Sequence, residues 1–114
     1  MIRKAGELQA QQKEGLRGGP GSAALKYYVG AEDKAEHCGM AAHITLEPGS
    51  GIGEHDHVED AELYVILSGK AMANDNGTMV ELGAGDTMWT SNGERHSLLN
   101  HTDAPTELLA VVVK

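Results

Sequence analysis

From residue 39 onward the chain never sustains an apolar helical period. Its apolar stretches are short, and nearly every one is stopped by Gly, Pro, Asn or Asp. In residues 39–47, Met40, Ala42, Ile44 and Leu46 alternate onto one face before Pro48-Gly49 ends the run. A period of two is the signature of a strand with one buried side. LYVILSG, ending at Gly69, reads as a near-continuous apolar strand. AMANDNGTMVEL reads as a hairpin, because Asn76-Gly77 suits a type I′ turn. TMWT, HSLLN and TELLAVVV complete the series, separated by Gly83-Ala84-Gly85-Asp86, SNGER and HTDAP. Short strands at turn spacing predict an all-β domain, an antiparallel sandwich or barrel whose interior positions alternate along each strand.

The 114 residues fit one domain. Residues 1–22 are polar and end in a cluster of Gly18, Gly19, Pro20 and Gly21. They read as an N-terminal arm, with a short helix or an edge strand over 2–16 as open alternatives, leading into a domain over 23–114. Residues 23–29 suit a first strand, and 31–36 a charged loop or helical turn. Aromatic residues are scarce, with one Trp, three Tyr and no Phe. The core is therefore expected from Val, Ile, Leu, Met and Ala.

A formal net charge of −8 disfavours nucleic-acid backbones and anionic membranes as partners. Cys38 is the only cysteine, which rules out an intrachain disulfide and suits a reducing compartment. The first twenty residues lack a continuous apolar run, so neither a secretory signal nor a membrane span is expected, and the expected location is the cytoplasm.

The chemistry concentrates in residues 49–69, GSGIGEHDHVEDAELYVILSG. His55 and His57 are two apart, so a strand projects both imidazoles from one face. Glu62 follows five residues after His57, far enough for the chain to turn and return beside the first strand. His96 shares a face with Leu98 and Asn100 on a later strand. If these faces point inward together, three imidazoles and one carboxylate surround one divalent cation and leave positions for water or a ligand. Such mixed N/O ligation suits Fe, Mn, Zn, Ni or Cu alike. Glu62 heads an apolar strand, and a buried carboxylate without a cation is costly.

These residues fall into two spaced motifs that resemble those of the cupin superfamily. The first is Gly49, five residues, His55-Asp56-His57, four residues, Glu62, six residues, Gly69, and all five fixed positions agree. The second is Gly85, five residues, Ser91-Asn92-Gly93, two residues, His96, three residues, Asn100. Four of its five positions agree; Ser91 stands where the family has proline, which bears on the stiffness of a turn and not on the metal. Fifteen residues, 70–84, separate the motifs. The resemblance implies a jelly-roll barrel, or double-stranded β-helix, with one metal on His55, His57, Glu62 and His96. It also implies a homodimer, which would cover exposed strand edges. It leaves the reaction open, because this superfamily includes oxygenases, decarboxylases, isomerases, lyases and binding proteins.

Other residues carry competing readings. Tyr64 shares Glu62's face and suits either a substrate-facing phenol or a packed core tyrosine. His43 faces away from Ile44 and Leu46, as an exposed strand histidine or a residue supporting the site. Tyr64 and His43 are the candidate proton donors or acceptors. Arg95 suits a solvated rim or a carboxylate clamp, and Asn100 an amide that satisfies backbone groups near a turn. Arg17-Gly18-Gly19 lacks the helix that a phosphate cradle needs. Two functions follow. One is a metal-dependent enzyme acting on a small carboxylate, enol or sugar-like substrate. The other is a non-enzymatic module that binds or senses a small molecule on the same ion.

Overall fold

The computed structural model describes residues 1–114 and is built almost wholly of strands. In chain order they are β1 (Gln11–Glu14), β2 (Ser22–Val29), β3 (Cys38–Leu46), β4 (Gly51–His57), β5 (Ala61–Ser68), β6 (Lys70–Asp75), β7 (Thr78–Gly83), β8 (Thr87–Thr90), β9 (Glu94–Leu99) and β10 (Thr106–Val113). A six-stranded sheet runs β1-β2-β3-β10-β5-β8, and a four-stranded sheet runs β4-β9-β6-β7. All pairs are antiparallel. The two sheets form a jelly-roll sandwich as expected, but their hydrogen bonding leaves two open sheets and does not join into a closed ring.

The turn chemistry is where the sequence put it. Asn76 and Gly77 have φ of 53° and 95°, both left-handed as a type I′ turn requires, and Asp75 pairs with Thr78 across it. The SNGER turn lacks proline but is tied by Glu94, whose Oε1 accepts from the Ser91 backbone N–H at 3.0 Å. Trp89 Nε1 donates to Ser91 Oγ at 3.1 Å and adds a second tie. These bonds replace the restraint that a proline ring would give.

Alternation fills the interior. Ala42, Ile44 and Leu46 of β3 meet Leu108 and Ala110 of β10, Tyr64 and Ile66 of β5, and Ile52 and Leu98 of the opposite sheet. Burying each of the larger aliphatic side chains contributes about 1.5–3 kcal/mol. Valine is absent from this core, contrary to expectation. Val111 and Val112 lie on the half-covered parts of β10 and Val113 is exposed, while alanines at 42, 71, 73 and 110 let the sheets approach.

Residues 1–22 lie along the domain. β1 pairs with β2 over Gln11–Glu14, satisfying its backbone groups at the sheet edge, and Leu16 packs against the core. The following turn then crosses to the other sheet, where Pro20 O accepts from Gly51 N at 2.9 Å. No helix is long and apolar enough to cross a membrane.

Candidate metal centre

His55 and His96 are direct cross-strand partners in the β4–β9 ladder, so their imidazoles start from adjacent backbone positions. His57 points the same way as His55, one strand period on. Glu62 arrives differently from expectation. β5 does not pair beside β4 but lies in the opposite sheet, between β10 and β8. The three-residue link 58–60 carries the chain from one sheet to the other, and Glu62 reaches the imidazoles across the interior. Sheet-to-sheet packing, which local spacing does not encode, makes this meeting possible.

The donor atoms converge. Glu62 Oε1 lies 3.0 Å from His57 Nε2, 3.1 Å from His96 Nε2 and 3.4 Å from His55 Nε2. His96 Nε2 is 2.9 Å from His55 Nε2 and 3.2 Å from His57 Nε2. Together the four residues could hold a metal ion, since their ligand atoms all lie within 4.8 Å of one another. His57, Glu62 and His96 are buried and His55 is half-buried.

Each histidine is aimed through its other nitrogen. His55 donates Nδ1–H to the Gly53 carbonyl at 2.8 Å, and His57 donates Nδ1–H to Asp60 Oδ1 at 2.7 Å. His96 Nδ1 sits 2.8 Å from Thr90 Oγ1. A carbonyl and a carboxylate only accept, so they fix the Nδ1 proton and leave the Nε2 lone pair for the centre. Lone pairs only 2.9–3.2 Å apart repel unless a cation stands between them. Donors about 2.1 Å from an ion and at right angles to each other lie roughly 3 Å apart. The observed spacings fit that arrangement.

Burial pushes the Glu62 carboxyl up. When the imidazoles are protonated in place of a bound cation, hydrogen bonds from His55 and His96 and the charges of His96 and His57 outweigh burial and leave the pKa lowered to about 2. Glu62 therefore stays anionic. Tyr64 stacks on His96, with ring centroids 4.8 Å apart and planes 11° from parallel. Burial, then the Glu62 carboxylate, pushes its phenol well above the ordinary value. It holds its proton at neutral pH.

Beside the donors lies a cavity of about 190 Å3, whose lining includes Arg17, Tyr27, Met40, His55, Glu62 and Tyr64. His43 is not brought to it. Strand alternation turns His43 to the other face of β3, where Nε2 meets Glu107 Oε1 at 3.1 Å. Arg95 also faces away, pairing with Glu54 at 3.1 Å. Asn100 is fully buried and bonds only backbone and turn atoms of Leu46, Thr102 and Ala104. Sequence reasoning missed Asp60, Thr90 and Arg17. Asp60 had a local signal, a carboxylate three residues after a histidine. Thr90 and Arg17 come close only through the fold.

The family described as Cupin domain matches residues 42–112. An oxalate-binding protein of Thermotoga maritima is 33% identical over 113 residues, covering 99% of this chain and 93% of that protein. A crystal structure of a predicted oxalate decarboxylase, also from Thermotoga maritima, superposes with a TM-score of 0.92 at 33% identity, over 99% of this chain and 98% of that one. KdgF from a Halomonas species, at 13% identity, has the same fold, with a TM-score of 0.81 over 99% of this chain and 92% of that one. The two motifs, the jelly-roll sheets and the match over most of the chain agree: this protein belongs to the cupin domain family.

Proposed function

We propose that this protein binds a small carboxylate, of the size and charge of oxalate, on a divalent ion held by His55, His57, Glu62 and His96. The observation that carries the reading is the convergence of three Nε2 atoms, two of them with the lone pair fixed from the Nδ1 side, and one ionised carboxylate beside a small cavity. The similarity to a protein named for binding oxalate supports the ligand class. When bound, the ion supplies a Lewis-acid centre for carboxylate oxygens. The chain's own residues do the rest. Gly53, Asp60 and Thr90 hold the imidazoles in place. Tyr64 keeps its O–H and closes one side of the cavity against His96.

Binding without turnover suits the cavity better than catalysis does. Converting oxalate to formate and carbon dioxide requires a proton delivered to carbon as the C–C bond breaks. Of the two side chains proposed for proton transfer, Tyr64 holds its proton tightly and His43 lies on the far face of β3. The similarity to a structure described as a predicted oxalate decarboxylase favours turnover as the second reading.

Titration calorimetry of manganese-loaded protein with oxalate, followed by assay of the mixture for formate, separates these. Saturable binding that needs the metal, with oxalate recovered unchanged, is the expected result. Formate in the mixture establishes the second reading, and no binding overturns both.

A further inference from the structure

We propose that Arg17, on the lining of the cavity beside the metal donors, selects the ligand by pairing with a second anionic group, so that the site prefers a short dicarboxylate to a monocarboxylate. This rests on the carboxylate reading above. Arg17 is the one basic residue lining the cavity. It comes from the N-terminal segment, far in sequence from the donors. The other two arginines are committed within the chain, Arg3 to Asp33 and Arg95 to Glu54. Arg17 has no such ion pair, although the protein carries an excess of carboxylates.

The backbone that presents Arg17 is built for close approach. Arg17 has φ 53° and ψ 29°, the left-handed region that a long side chain rarely enters. Such outliers persist where surrounding structure enforces them, and they mark functional positions. Here the enforcement is visible. The Arg17 carbonyl lies so close to Gly53 that a Cβ there would collide with it. A Cβ on Gly19 would meet Gly51 O at 2.6 Å and Gly53 N at 2.7 Å. The Arg17 turn is thus seated on the stretch of β4 whose Gly53 carbonyl orients His55. One element fixes both the metal-facing imidazole and the arginine.

The cavity is mainly apolar, with Leu16, Ile44 and Ile52 among its walls. A small, mainly apolar cavity whose lining carries both metal donors and a guanidinium suits a small molecule with two anionic groups. A guanidinium matches a carboxylate through two parallel N–H donors, a fit that a lysine ammonium does not reproduce.

The test compares manganese-loaded wild type, Arg17→Gln and Arg17→Lys by calorimetry, with oxalate as the dianion and formate as the monoanion. Manganese content is measured in parallel. The expected result is a loss of oxalate affinity of roughly 10- to 100-fold in Arg17→Gln, with formate affinity and manganese content unchanged. Arg17→Lys should fall between. Equal oxalate binding by wild type and Arg17→Gln overturns the role of Arg17 and leaves the carboxylate reading standing. Equal weakening of both anions, or loss of manganese, also overturns it, because Arg17 then serves the general field or the build of the site. Wild type that binds neither anion overturns the carboxylate reading and this proposal with it.

Discussion

Asp60 Oδ1 accepts the Nδ1 proton of His57 at 2.7 Å, and that bond turns His57 Nε2 toward Glu62 and His96. The carboxylate sits in the link between the two sheets, so the segment that crosses the interior also orients a donor. Replacing Asp60 with alanine removes the acceptor and frees the ring. Metal affinity should fall about 10- to 100-fold. Asp60→Asn, which keeps an acceptor oxygen, should fall less. Competition against a calibrated chelator measures both, and equal affinity in wild type and Asp60→Ala would show that the bond has no orienting role.

Acid should strip the metal through the histidines and not through Glu62. A carboxyl lowered from 4.5 to about 2 is anionic throughout the range where proteins are handled. Its linked stability is complete above 4.5 and is lost only as pH falls toward about 2. An imidazole must be neutral to ligate, and its reference pKa is about 6.5. Metal affinity should therefore drop below that pH with more than one proton taken up per ion released. Affinity flat down to pH 4 would contradict this.

Tyr64 is predicted to serve stability through its ring. It is buried and stacked on His96. Tyr64→Phe should keep the stack, the metal and nearly all the stability. Tyr64→Ala should cost about 3–5 kcal/mol in denaturant unfolding, because it opens a cavity beside a donor. A large loss in Tyr64→Phe would assign the weight to the hydroxyl.

Asn100 is structural. Its Nδ2 donates to Leu46 O at 2.9 Å and Ala104 O at 2.8 Å, while Oδ1 accepts from Thr102 N at 3.0 Å. Asn100→Ala leaves the buried Leu46 carbonyl without its donor and should destabilise by about 2–3 kcal/mol. The metal stoichiometry of the folded fraction should stay unchanged. Unfolding curves with metal analysis check both.

The local rules were legible in the chain. His55 and His57 share a face because strands repeat every two residues, and Asn76-Gly77 turns as only such a pair does. The motif spacing named the four donors. It did not show how Glu62 meets them, because pairing of β5 with β10 and β8 depends on residues from about twenty to about fifty positions away. The same limit hid Arg17 above Gly53, while Thr90, only six residues from His96, meets it because the turn between them carries the chain from one sheet to the other. The missing valines show the reverse case: a β-branched run reads as core strand, yet the end of β10 is only half covered.

The central claim is that one ion rests on His55, His57, Glu62 and His96. Elemental analysis of the purified protein tests it most directly, with wild type beside a His55→Ala, His96→Ala double variant whose fold is verified by circular dichroism. The prediction is about one divalent ion per chain in wild type and essentially none in the folded double variant, since only two donors remain. Full metal content in that variant would contradict the assignment.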